Sequence, residues 1–526
     1  MKAYSIGRLI KHQIPLLLVI SFVIRLYAAL QTPVIAKDSI IYMQNAIHIS
    51  SGELVKGMEG YPPVYSILIA IFYRLIGNVE YAGQAVSVLA GTLALLPFYG
   101  LTKEIFGRQI ALWGSIFFAF HPFLVQYGGE VISESTYILF FVSALYMGWK
   151  ALRHEDLLYF LSFGFLAAIA YLTRPEGIGL FVGFIVWIPI HLWLQRKTPS
   201  LLFFGRILCV FLPLLFLGTL YLYQVRQITG EWRINAKRSM IVDSGLKGAI
   251  NAESAPISPY NEAAPPEEKD SKEPYASKPF QGWVETKSLS GFVSRYIKTF
   301  FLLILKFTGI LHQLLFFFVI YLLIKRRFFS YHLEGELFLA IFSLLYLMAM
   351  ALLYVDGRHL LQLVPLFLPW VAAGCLEFSR RFESLDRSFK VRNFQLRLSS
   401  QALLIVLTIC ILLPKMLVGH RIDKLTLKDA GTWIRSQEIS SPSILSTDSR
   451  VAYYAQGRHI QLADAGELVS FILESKPDFV VIVKDELANI PADALRSLQP
   501  LSLKEVYQAR GDTGSSIVTV YVLRTT

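Results

Sequence analysis

The stretch "PPVYSILIAIFYRLIG", Pro62 to Gly77, decides the topology of this chain. Counted as a membrane span, it moves every later loop to the opposite face. Counted as an interfacial or re-entrant helix, it leaves them in place. The run has about 16 residues, whereas a spanning helix needs about 20. Pro62-Pro63 opens it and Arg74 stands near its end, a pattern that suits a helix lying in the interface. The other hydrophobic runs lie near 13–30, 82–101, 110–127, 134–151, 157–173, 177–195, 203–223, 297–324, 335–354, 359–377 and 401–418. With the N-terminus inside, the inner loops carry Lys103 and Arg108, then Lys150 and Arg153, then Arg196, Lys197 and Arg206. Lys325, Arg326 and Arg327 follow, and last comes the basic segment from Arg380 to Arg397. That alternation is what the positive-inside rule expects, and it holds only if Pro62–Gly77 stays on the outer face.

The composition agrees with a membrane protein. Hydrophobic residues make up 54% of the 526 and charged residues 17%, below the roughly 25% usual in soluble domains. The first run, Ile14 to Leu30, follows Lys2, Arg8 and Lys11, and no small-residue cleavage site comes after it. It reads as a retained transmembrane helix and not as a signal peptide. The net charge of +12 does not point to nucleic acid, because Lys and Arg gather in short loops between apolar runs. Cys209, Cys375 and Cys410 all lie inside such runs, which indicates neither a disulfide framework nor a metal knuckle. Gly-rich phosphate loops are missing from the sequence, so ATP chemistry is not indicated. Arg25, inside the first run, is expected to pair with an acid or to snorkel to the interface.

These runs give a polytopic all-α membrane domain over residues 1–418, of about 11–13 transmembrane helices, with outer interfacial helices in a first loop at 31–81. A second long outer loop, 224–296, contains "APPEEKDSKEPYASKP", which has the composition of a disordered segment. Residues 419–526 read as a small extracytoplasmic α/β domain. Its strand-like runs are Ser443–Asp448, Asp478–Lys484 and Ser515–Leu523, with helical pattern between the first two.

The same parity sorts the polar residues. Asp38, Glu130 and Glu134, Arg174 and Glu176, and Asp356, Arg358 and His359 come from four distant loops, all on the outer face. Each has a plain structural explanation. Asp38 can cap the helix that begins near Ser39, and Glu134 can favour a helix dipole. Arg174 and Glu176 can pair across a turn at Pro175, and Arg358 and His359 can anchor a helix end. Ionisable groups at membrane depth are costly unless paired or functional, so their convergence marks the candidate site. The chemistry open to such a set is specific. A carboxylate can deprotonate an acceptor hydroxyl, arginines can hold a phosphate leaving group, and apolar walls can take a lipid tail.

"KDSIIYMQNAIHISSGE", "GYPPVYSILIAIFYRLIG", "SESTYILF", "LTRPEG" and "GRHLLQLVPL" together resemble landmarks of the GT-C membrane glycosyltransferases. The nearest likeness is to bacterial members of glycosyltransferase family 39, akin to protein O-mannosyltransferases and lipid A aminoarabinose transferases. The resemblance implies an inverting transferase that takes a sugar from a polyprenyl phosphate at the outer face of the bacterial inner membrane. The acceptor would be a protein, a lipid or a glycan. The resemblance makes Asp38 the catalytic base, with Glu134 as the second catalytic candidate. Arg358, and more weakly Arg174 and His359, would bind the donor phosphate, and Tyr42, Tyr61 and Glu176 would contact substrate. Two positions depart from the pattern. Ser39 follows Asp38 where many relatives have Asp-Glu, and Gly60-Tyr61 precedes Pro62 where aminoarabinose transferases have an acidic–basic pair. The second departure removes a phosphate-contacting Lys and leaves sugar and acceptor open.

No cofactor is required by this reading, although a divalent cation held by Asp38, Glu134 and His359 is the open alternative. Two other classes compete with it. A transporter or flippase of lipid-linked or glycan substrates would carry mid-membrane polar residues and paired repeats. These are sparse apart from Arg25, Pro365 and Pro369, and no repeat is found. A non-catalytic scaffold would use the C-terminal domain for docking.

Overall fold

The computed structural model describes residues 13–196, 198, 200–232, 289–325, 327, 329–353, 357–385, 387–391, 394–461, 472, 475–483, 503–511 and 517–523. The expected disordered centre of the second outer loop, and Asp356, lie outside the described residues. The chain divides into two compact units. Among the described residues the first holds 13–30, 42–232 and 289–418, and the second holds 31–41 and 419–523.

In order, the helices are α1 (Gln13–Leu30), α2 (Lys37–Ser50), α3 (Val64–Ile76), α4 (Val79–Leu93), α5 (Leu95–Phe106), α6 (Arg108–Ala119), α7 (Pro122–Gln126), α8 (Glu134–His154) and α9 (Leu157–Tyr171). Next come α10 (Ile178–Gln195), α11 (Leu201–Thr229), α12 (Leu289–Leu311), α13 (Gln313–Ile324), α14 (Leu333–Leu353), α15 (Val364–Ser379) and α16 (Ser400–Leu417). Among the described residues, seven helical stretches are long and apolar enough to cross a membrane, or eight if the bent pair α12–α13 counts as one.

Three expectations change here. The run 297–324 is not one straight span: the chain bends by 112° between α12 and α13. His312 between them takes a left-handed φ of 73°, and its ring nitrogen accepts the Leu314 N–H at the start of α13. The run 110–127 is two short helices, because Phe120 leaves the helical region and Pro122 restarts it with His121 as N-cap. The basic segment after α15 is not a simple loop: strands β1 (Arg387–Val391) and β2 (Phe394–Leu398) pair antiparallel within it. The deciding stretch forms α3, whose 13 residues span about 20 Å, short of the roughly 30 Å of a hydrocarbon core. Gly77 closes it at φ 77°, a conformation that costs glycine little.

The core of the first unit is aromatic and tightly packed, and small residues let helices touch backbone to backbone. A Cβ at Gly164 of α9 would lie 2.2 Å from the Val210 carbonyl of α11, and one at Gly374 of α15 would lie 2.0 Å from that of Phe318 in α13. Arg25 departs from both of its expected roles. It is fully buried, and among the described residues its guanidinium donates to the Ser21 hydroxyl and to the carbonyls of Ser21 and Phe118, not to an acid. A Cβ at Gly91 would come within 2.8 Å of its Nε, so the neighbouring helix is glycine where the arginine passes.

The second unit contains α17 (Leu425–Arg435), α18 (Ser449–Ala455) and a five-stranded sheet. Its strands are β3 (Ser443–Ser446), β4 (Arg458–Gln461), β5 (Phe479–Val483), β6 (Leu503–Arg510) and β7 (Ile517–Leu523), in the order β4-β3-β5-β7-β6. β3 runs parallel to β4 and β5, whereas β7 is antiparallel to β5 and β6. Leu427, Ile434 and Val451 of the helices pack on Ile444, Val481 and Val520 of the sheet.

Asp448 is the N-cap of α18, accepting from the backbone N–H and the Nε of Arg450 through Oδ1 and from its Nη2 through Oδ2. Burial works to raise the Asp448 pKa, but the hydrogen bonds and charge of Arg450, with Lys37, outweigh it and hold the carboxyl at about 2. The folded value lies below the ordinary one, so the stabilisation is present above about pH 4 and is lost as the pH falls through 2. In the full-length protein, hydrogen exchange at β3 and β5 is expected to show about 2 kcal/mol of lost protection between pH 4 and pH 2. The double variant Asp448→Ala/Arg450→Met should lack that loss.

Candidate active site

Three of the four loops singled out in the sequence meet in the first unit. Glu134 is the first residue of α8, and the hydroxyl of Ser133 before it pairs with that of Tyr42 rather than capping the helix (Tyr42 Oη to Ser133 Oγ, 3.0 Å). Arg174 follows the end of α9 with extended φ and ψ of −150° and 137°, as the residue before a proline must. Pro175 then begins a short 3₁₀ turn through Gly177, which brings Glu176 back beside Arg174. Arg358 and His359 lie in a second 3₁₀ segment, Gly357–Leu363, leading into α15. His359 is fixed there by Tyr346 of α14, whose hydroxyl donates to its carbonyl at 2.8 Å.

Their side chains form one network. Arg174 Nη1 donates to Glu134 Oε1 at 2.7 Å, and Nη2 lies 3.1 Å from Glu176 Oε1 and 2.7 Å from His359 Nδ1. His359 Nδ1 also lies 3.0 Å from Glu176 Oε1, and Arg358 Nε is 3.1 Å from Glu134 Oε1. A single ring nitrogen cannot donate to Glu176 and accept from Arg174 at once. The tautomer of His359 therefore chooses between the two contacts. Both terminal nitrogens of Arg174 are committed, and its side chain is 9% exposed against 24% for Arg358. Arg358 is thus the more accessible of the two cations.

The remaining candidates sit as follows. Tyr42 is buried, with its ring 4.7 Å from that of Tyr61 and edge-on to Tyr65 at 4.9 Å. Tyr65 is tied in turn to Ser87 and to the Gly83 carbonyl. Glu130 is buried in the turn before α8. Asp38 belongs to the second unit, is half-buried, and is the second residue of α2 rather than its N-cap. Ala36 holds the cap position: its N–H goes to the Ser39 hydroxyl and its carbonyl accepts from Ser39 N–H, both at 3.1 Å. Ser39, the departure from the family pattern, therefore does the capping work that the sequence assigned to Asp38. Among the described residues no three His, Cys, Asp or Glu side chains group as metal ligands. Tyr346 and Tyr65 escaped the sequence reading, because single tyrosines in long apolar runs carry no spacing signal.

Residues 61–216 match the sequence profile of a family described as dolichyl-phosphate-mannose-protein mannosyltransferase. No curated protein sequence matches the chain. Among solved structures, the chain is similar to ArnT from Cupriavidus metallidurans bound to undecaprenyl phosphate. The TM-score is 0.57 at 12% identity, over 96% of this chain and 97% of that one. It is also similar to the Archaeoglobus fulgidus oligosaccharyltransferase AglB, solved with an inhibitory peptide and a dolichol-phosphate. There the TM-score is 0.54 at 14% identity, over 98% and 74% of the two chains.

The fold is GT-C. The chain is an integral membrane protein with the architecture of the GT-C membrane glycosyltransferases. The stretch that the profile matches contains α3, Glu134, Arg174 and Glu176.

Proposed function

We propose that this protein is an inverting glycosyltransferase that moves a sugar from a polyprenyl-phosphate donor to a hydroxyl acceptor at the outer face of a bacterial inner membrane. The observation that carries the proposal is the buried Glu134–Arg174–Glu176–His359 network with the more exposed Arg358 at its edge, on a GT-C fold. A buried cluster of this kind is costly to assemble and is retained where it orients charge for chemistry.

In this reading the acceptor oxygen attacks the anomeric carbon while the bond from that carbon to the phosphate oxygen breaks. The acceptor proton passes to Asp38, and the electron pair leaves with the polyprenyl phosphate, which gains a negative charge. Arg358 stabilises that charge by charge-assisted hydrogen bonds. Glu134, gripped by Arg174 and facing Arg358, aims the Arg358 guanidinium. It remains the second candidate for the base. Arg174, with both termini committed, organises the network and is the weaker phosphate ligand. Tyr42 and Tyr61 form an aromatic wall suited to stacking against a sugar ring.

The test is direct. Purified protein is given a labelled polyprenyl-phosphate sugar with candidate hydroxyl acceptors, and released polyprenyl phosphate and glycosylated product are measured. Movement of the intact labelled lipid across sealed vesicles, with no cleavage of the sugar–phosphate bond, would replace this reading with a flippase.

A further inference from the structure

The short segment that leads into α2 is held at three alternate residues, all within the second unit. The Pro33 carbonyl accepts from Lys428 Nζ of α17 at 2.8 Å, and the Ile35 N–H donates to the Tyr454 hydroxyl of α18 at 3.0 Å. Lys37 Nζ lies 3.6 Å from Asp448 Oδ2. The anchors support one another: Lys428 Nζ sits 5.2 Å from the centre of the Tyr454 ring, and Asp448 is locked by Arg450. The capping pair Ala36–Ser39 then sets the first turn of α2, so that Asp38 follows directly on a stretch anchored through backbone at Pro33 and Ile35 and through the side chain of Lys37. For a structural staple alone this fastening would be oddly concentrated, since it covers the five residues 33–37 immediately before Asp38.

We propose that the C-terminal domain is a positioning clamp for Asp38, with Lys428, Tyr454 and Asp448 acting as positioning residues through Pro33, Ile35 and Lys37. The inference rests on the reading of Asp38 as the base. Fixing the backbone on the N-terminal side of α2 sets where the Asp38 carboxylate can reach. A general base must lie within hydrogen-bond reach of the proton it takes, and a misplacement of about 1 Å can cost on the order of 100-fold. The domain would then contribute to turnover without touching donor or acceptor.

The experiment uses the full-length protein carrying Lys37→Met with Tyr454→Phe, beside Tyr454→Phe alone, Lys37→Arg and Asp38→Asn. The double variant is expected to lower kcat by roughly 10- to 100-fold with KM for the lipid donor unchanged. Tyr454→Phe should give a smaller fall of the same kind, and Lys37→Arg should restore most of the rate. Hydrogen exchange should speed up in peptides covering residues 31–41 while β3 and β5 keep their protection. If the double variant loosens the sheet as well, Tyr454→Phe, which removes one hydroxyl, decides the matter by the same readouts. Wild-type kcat in these variants, or a rise in KM with kcat intact, overturns the clamp while leaving Asp38 as the base. Full activity of Asp38→Asn overturns the base itself, and the clamp with it.

Discussion

Asp38→Asn is expected to lower sugar transfer by about 100- to 10,000-fold in kcat, the usual contribution of a positioned general base. Donor affinity should be unchanged. The substitution keeps the shape of the side chain and removes its ability to take a proton. The cap of α2 stays in place, because it belongs to Ala36 and Ser39 rather than to Asp38. Asn also gives up the interaction of a charge with the first turn of α2, worth about 0.3–1 kcal/mol. A loss of activity with an intact fold therefore reports chemistry. The assay is single-turnover release of labelled sugar, with thermal unfolding in detergent as the control. Full activity would remove Asp38 from the mechanism and direct the next substitution to Glu134.

Much of this arrangement is legible in the sequence, because a membrane imposes coarse rules. Apolar runs and basic loops mark the helices, and the shortness of Pro62–Gly77 follows from counting residues against bilayer thickness. The polar residues stand out against an apolar background, which is why Glu134, Arg174, Glu176, Arg358 and His359 are found before any coordinates. What is not legible depends on single backbone torsions and on partners distant in the chain. The bend between α12 and α13 turns on the positive φ of His312, and histidine in a helical run gives no warning of that. The carbonyl partners of Arg25 could not be read because a backbone oxygen has no letter of its own. β4 is four residues long at a sheet edge. β6 is interrupted by a bulge between Glu505 and Tyr507, which breaks the alternation that would have revealed it. The fastening of Pro33, Ile35 and Lys37 joins residues about four hundred positions apart in sequence, beyond any local pattern.

Arg174→Met is expected to be the most destabilising single change in the site, by about 3–5 kcal/mol, whatever its effect on turnover. Arg174 is buried, and its two terminal nitrogens serve Glu134, Glu176 and His359 together. Methionine fills comparable space but leaves two buried carboxylates with one fewer cation, and uncompensated buried charge is what makes breaking such a pair costly. Thermal unfolding in detergent should fall by about 3–5 °C. The triple variant Glu134→Gln/Arg174→Met/Glu176→Gln removes the charges together and should recover most of that loss, since the penalty comes from imbalance rather than from missing contacts. Arg358→Met provides the contrast. Its side chain is 24% exposed and its ion pair with Glu134 is 3.1 Å long, so solvent screening should keep the stability cost below that of Arg174→Met. The same change should weaken donor use strongly if Arg358 meets the phosphate. Arg174 would then be costly for folding and Arg358 for turnover, and that split separates the residue that builds the network from the one that uses it. If both variants instead lose stability equally and bind donor normally, the network is a structural ion cluster and the phosphate is held elsewhere.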